Sequence, residues 1–144
     1  MQEWKPRTHE DKLLLNYYQS KAGILVLEVP IGSSKVWPVK SKIRRIDGIR
    51  IPNALERILR FTEVINSFDE LIKGQEIELI EVKVKLNRLV IGQIIAGIDM
   101  FEREYNHSNI RPIIVCSEGD PALEWVCKKR GIEVVIYYPE NNSR

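Results

Sequence analysis

Long apolar runs are missing from this 144-residue sequence. None reaches the ~20 residues that a membrane helix needs. The opening Met1-Gln2-Glu3-Trp4-Lys5 has none of the apolar stretch of a signal peptide, so a cytoplasmic location is expected. Cysteine is scarce. Its two copies, Cys116 and Cys127, form no disulfide framework, and the two histidines add no zinc-ligand spacing. Both cysteines are expected to be small, reduced core residues. A dominant charge is missing as well: 22 Lys and Arg against 20 Asp and Glu leave +2. That excludes a basic field over the whole chain. There is no glycine-rich phosphate loop, Ser/His/Asp series, heptad pattern, internal repeat or low-complexity tract.

What is present is a chain able to build a core. Hydrophobic residues make up 44% and charged residues 29%, which excludes compositional disorder. The length suits one domain over residues 1–144. Charge is unevenly spread. Residues 1–50 hold 10 Lys or Arg against 5 Asp or Glu, leaving room for a local basic surface.

The pattern predicts an alternation of helices and strands. Thr8 caps a helix whose first turn carries Glu10 and Asp11 and whose apolar spacing runs through Leu13, Leu14, Tyr17 and Tyr18. Ile24–Val29 reads as a strand stopped by Pro30 and Gly32, and residues 32–42 as a loop. A second strand spans Ile43–Ile51. Residues 54–65 fit either an amphipathic helix or an excursion with a short strand. Ser67-Phe68-Asp69-Glu70 matches a capping box, with Gly74 as the helix stop. Glu76–Leu86 reads as a strong strand, and Asn87 starts a helix to about Tyr105. Arg111–Cys116, Asp120–Arg130 and Ile132–Tyr138 then follow as strand, helix and strand. The expected class is α/β: a mixed central sheet with helices on both faces, its second half parallel by right-handed crossovers.

Chemistry is suggested by polar residues inside apolar strands. Side chains alternate, so Glu81 and Lys83 share a face, roughly 7 Å apart along the strand. Asp47 interrupts the preceding apolar strand and Glu28 the one before it. Buried charges are costly unless paired or metal-bound. Two carboxylates and an amine brought together suit Mg²⁺ or Mn²⁺ and the hydrolysis of a phosphodiester. The same three residues also fit a plain buried salt bridge between strands. Glu28 fits an edge-guarding charge, Glu10 helix-start electrostatics, and Gln93 a solvent-facing helix position. His9 and His107 read as surface residues.

Asp47, then Glu81-Val82-Lys83, then a helix bearing Gln93 resembles the PD-(D/E)XK nuclease superfamily. The flavour is that of small archaeal and viral members, similar to the cores of Holliday-junction resolvases and RecB-type nucleases. The resemblance covers roughly residues 8–137. It implies a restriction-endonuclease-like α-β-β-β-α-β core (residues 8–138) with an insertion at about 53–74. It implies Mg²⁺ or Mn²⁺ held by Asp47 and Glu81, catalysis by Lys83, support from Gln93, and a further acid from Glu28 or Glu10. Gly97 stands where the RecB-type pattern has Tyr. The nucleic acid, DNA by this resemblance, would lie along Lys35, Trp37, Lys40, Lys42, Arg44 and Arg45. A solvated loop is the alternative for that segment. A homodimer is expected, since two strands need two sites. The rival function is an inactive nuclease-like module for nucleic-acid binding or assembly.

Overall fold

A computed structural model describes residues 3–139. The elements run α1 (His9–Lys21), β1 (Ile24–Ile31), β2 (Arg44–Ile51), β3 (Arg57–Arg60), a 3₁₀ turn (Phe61–Glu63), α2 (Phe68–Ile72), β4 (Ile77–Val82), α3 (Arg88–Tyr105), β5 (Ile110–Cys116), α4 (Pro121–Lys129) and β6 (Glu133–Ile136). The six strands form one mixed sheet in the order β3-β1-β2-β4-β5-β6. β2 is antiparallel to both β1 and β4, whereas β4, β5 and β6 are mutually parallel, as the helical crossovers require. Residues 54–65 resolve as the short-strand alternative: β3 lies parallel to β1 at the sheet edge.

Alternation divides the strands between two cores. Ile77 and Leu79 of β4 face α3, α2 and α4, together with Phe68, Ile94, Phe101 and Cys127. Ile80 and Val82 face α1, with Leu13, Leu14 and Tyr17. Each such fully buried aliphatic contributes about 1.5–3 kcal/mol relative to exposure. Gly48 lets α1 settle onto the sheet, since a Cβ there would meet the Leu25 side chain at 2.9 Å. Both cysteines are buried and free.

Helix ends follow local chemistry. Thr8 Oγ1 accepts from the Asp11 N–H (3.0 Å), and the Asp11 carboxylate accepts from the Thr8 N–H (3.2 Å). The Asn87 and Asp120 side chains cap α3 and α4 by accepting from the Val90 and Leu123 N–H groups, with Pro121 in the first turn of α4. The expected capping box at Ser67 does not form. Ser67 has ψ −1°, outside the extended region a cap needs, and its hydroxyl donates back to the Val64 carbonyl.

The strand expected over Glu76–Leu86 ends at Val82. Its ladder with β2 reaches Gly48↔Ile80. Beyond that the Val82 N–H turns to the Asp47 side chain, while the Lys83 N–H still reaches the Val115 carbonyl of β5. β4 therefore parts from β2 while remaining attached to β5, and the gap so opened holds the candidate site. No helix among the described residues is long and apolar enough to cross a membrane.

Candidate active site

Two irregular residues shape the gap. Glu28 and Asp47 lie opposite each other, between the paired Leu27↔Gly48 and Val29↔Ile46. Glu28 has φ +56°, a conformation that strains residues bearing a Cβ. The alternation of both strands reverses there. Val26 and Val29 face the α3 side, as do Ile49 and Ile46, although strict alternation would send Val29 and Ile46 to the α1 side. Asp47 consequently lies toward α1, against Leu14, Leu27 and Val82. Glu81 lies toward α3, under Gly97, where a Cβ would stand 4.0 Å from Glu81 Oε2.

The two carboxyl groups meet through the gap. Asp47 Oδ2 accepts from the Val82 N–H at 2.8 Å, and the Asp47 and Glu81 side chains hydrogen-bond to each other. Glu81 is 8% exposed. Burial, then the adjacent Asp47 charge, pushes its pKa up to about 9, and the Asp47 backbone N–H and Lys83 offset only part of this. Asp47 is also raised by burial, against the opposing pull of the Val82 N–H, Glu81 and Lys83. Burial and mutual repulsion thus oppose the ionisation of both acids at once, and the positive charge nearby offsets only part of this.

Lys83 interacts favourably with both carboxylates, so the three residues do converge. Among the described residues no three His, Cys, Asp or Glu side chains stand close enough together to hold a metal ion. A two-carboxylate donor set suits Mg²⁺ or Mn²⁺, which retain waters and take up substrate oxygens, rather than an ion fully caged by protein. A divalent ion would supply the positive charge that the pair lacks.

The pair lies between two grooves of opposite character. On the α1 side a groove of about 760 Å³ is lined by the acids Glu3, Glu10, Asp11, Glu28 and Asp47 and by the cations Lys5, Arg7 and Arg60. On the α3 side a groove of about 470 Å³ gathers Arg44, Arg45, Arg88 and Gln93 around Glu81. The structure thus places Glu10 and Glu28 in the groove that Asp47 lines, and Gln93, Arg44 and Arg45 in the groove that Glu81 lines. Lys35, Lys40 and Lys42 are exposed on the loop before β2 and line neither groove.

Trp37 does not stand open for a base. Its Nε1–H donates to Glu104 Oε1 (2.6 Å), and the Arg103 guanidinium covers the ring 4.7 Å from its centroid. Glu104 also accepts from the Gly32 N–H, and Arg103 donates to the Val36 carbonyl. These contacts pin the loop to the end of α3. His9 meets the Ser117 hydroxyl, and His107 meets the Gln75 carbonyl and stands edge-on to the Phe101 ring.

Two site neighbours escape a reading of the sequence. Asp11 carries charge close enough to raise Asp47, yet its only visible signal is the Thr8-x-x-Asp11 capping spacing. Arg88, the first residue of α3, shows no signal at all. A separate buried charge, Glu78, sits on the α1 side. It accepts from Tyr17 Oη (2.8 Å) and Arg50 Nε (2.7 Å), with Arg111 at 3.8 Å. That carboxylate is fully satisfied and serves to lock α1, β2 and β4 together.

No protein-family model matches the sequence, and no curated protein matches it. Among solved structures, the chain is similar to a repair endonuclease from Pyrococcus abyssi, with TM-score 0.52, 17% identity, and coverage of 97% of this chain and 50% of that one. EndoMS in its apo form is a more remote likeness, with TM-score 0.40, 18% identity, and coverage of 48% of this chain and 30% of that one. The chain spans about half the length of the Pyrococcus protein. At 17% identity the likeness is one of fold, and the mixed sheet with helices on both faces is what the resemblance to PD-(D/E)XK nucleases implied.

Proposed function

We propose that the protein is a divalent-metal-dependent endonuclease that hydrolyses phosphodiester bonds in DNA. The observation that carries this reading is that the Asp47 and Glu81 carboxyl groups meet in a gap of the sheet, where Asp47 also accepts from the Val82 N–H and Lys83 attracts both. Asp47 and Glu81 would hold Mg²⁺ or Mn²⁺, with the Val82 carbonyl as a third ligand by the family resemblance. The ion, when bound, supplies charge neutralisation at the phosphoryl oxygens and a more acidic water. Lys83 orients the attacking water and stabilises the charge that develops on the phosphorus centre. Gln93 orients Lys83 or that water from the α3 groove. Glu28 and Glu10, which line the α1 groove, would accept a proton from water. Arg44 and Arg45 grip the backbone, with Lys35, Lys40 and Lys42 contributing longer-range attraction. The likeness in fold to a repair endonuclease supports DNA as the substrate.

The test is cleavage of duplex, nicked, branched and single-stranded DNA in Mg²⁺ or Mn²⁺. Wild type is expected to yield product, whereas Asp47→Ala and Glu81→Ala are expected to yield none. Product that survives both substitutions refutes the assignment. Salt-dependent binding by wild type with no product under any metal leaves the inactive module instead. A homodimer with one site per strand completes the proposal, and sedimentation at micromolar concentration tests it.

A further inference from the structure

The two grooves that meet at the carboxylate pair differ in charge and in surface. The α1-side groove carries Glu3, Glu10, Asp11, Glu28 and Asp47 against Lys5, Arg7 and Arg60, a lining of net negative charge that disfavours a phosphate chain. The α3-side groove presents Arg44, Arg45 and Arg88, and among the described residues none of the three forms an ion pair. The balance of charge therefore favours a polyanion on the α3 side. That groove also has an apolar wall, which phosphate binding does not require. Leu89 is 61% exposed on the first turn of α3, and Ile31 and Met100 continue the wall beneath it. Gly92 and Ala96 keep the helix side shallow, so a flat group can lie along it.

Its volume, about 470 Å³, falls in the range of small-molecule sites, roughly 300–1,000 Å³. Bases stacked inside a duplex cannot reach a concave slot of this kind, whereas an unpaired one can leave the stack and enter. We propose that the α3-side groove takes one unpaired nucleotide of the substrate strand. Its phosphates lie on Arg44, Arg45 and Arg88, and its base packs against Leu89 and Met100. The inference rests on the nuclease reading and names its substrate: DNA with a locally unpaired nucleotide beside the phosphate to be cut. It also assigns Arg88 and Leu89 to substrate binding.

The experiment measures binding without divalent cation, so cleavage plays no part. Three labelled duplexes differ at one position: fully paired, one bulged thymidine, one bulged abasic site. Wild type is expected to bind the thymidine bulge about tenfold more tightly than either of the others, the scale of one base-stacking contact. Leu89→Ser is expected to abolish that preference while retaining binding to paired duplex. Since Leu89 is exposed, the variant is expected to fold, and its circular dichroism checks this. Arg88→Gln is expected to weaken binding to all three and to lower the slope of log affinity on log salt by about 0.9. Equal binding of the three duplexes, or a preference that survives Leu89→Ser, overturns the inference. If Mg²⁺-dependent cleavage persists alongside equal binding, the nuclease reading stands and only the nucleotide groove falls. Absence of binding to any duplex removes both.

Discussion

Replacing Glu81 by Gln removes an ionisable group from the gap and nearly preserves its shape. In the metal-free protein the Glu81 carboxyl titrates at about 9, against 4.5 for the ordinary group. Between those values the folded chain retains a proton that the unfolded chain has released. Unfolding then releases a proton, so stability is greatest below pH 4.5 and declines as pH rises toward 9. One proton corresponds to a slope of about 1.4 kcal/mol per pH unit. From pH 5.5 to 7.5 the ceiling is about 2.7 kcal/mol, and sharing of the titration with Asp47 brings the expected loss to about 1–2 kcal/mol. Urea melts in EDTA at the two pH values measure it. Glu81→Gln is expected to flatten the decline by most of that amount and to be the more stable chain at pH 7.5. Mg²⁺ is expected to flatten it for wild type, because a cation replaces the shared proton, with a gain of about 2.7 kcal/mol at a hundredfold excess over its Kd. The same Mg²⁺ is expected to leave Glu81→Gln nearly unchanged. Parallel pH slopes for wild type and Glu81→Gln in EDTA refute the account of the pair.

Lys83→Ala is expected to lower kcat by about 10²–10³ with little change in KM, because the ammonium acts on charge that develops during reaction; steady-state kinetics on a cleaved DNA substrate decides. Tyr17→Phe is expected to cost about 1–2 kcal/mol by removing one bond to the buried Glu78, and Arg50→Leu about 3–5 kcal/mol by leaving that carboxylate without its closest cation. Both are read from urea midpoints, and cleavage by the folded fraction is expected to be unaffected. Glu28→Gly is expected to stabilise the fold by up to about 1 kcal/mol, since relief of φ +56° outweighs the added freedom of the unfolded chain; thermal melts show the direction.

Much of the fold is legible because it is local. Ile24–Ile31, Arg44–Ile51 and Arg88–Tyr105 follow from period-2 and period-3.6 apolar spacing and from caps such as Asn87. The short strand Arg57–Arg60 is legible only as one of two alternatives, because its partner is the distant Ile24–Leu27 and four residues carry no period of their own. The end of β4 at Val82 was equally hidden: Val84 and Leu86 continue the apolar pattern, yet β2 is no longer beside them. Trp37 reads as an exposed aromatic among lysines, but Arg103 and Glu104, more than sixty residues later, occupy its face and its N–H.

The sequence by itself determined the residue types of the site and the strands that bear them, because a carboxylate inside an apolar run is conspicuous wherever the run folds. The tertiary structure decided on which side of the sheet each one stands. Strict alternation would put Asp47 on the same side as Ile49 and Glu81, and only the left-handed Glu28, with the reversal it shares with Asp47, turns that carboxylate toward α1. The two acids therefore meet through the sheet rather than side by side on it, with an acidic groove on one side and a basic groove on the other. Backbone dihedrals at one residue and the parting of two strands are set by packing over the whole sheet, and no local pattern of residues encodes them.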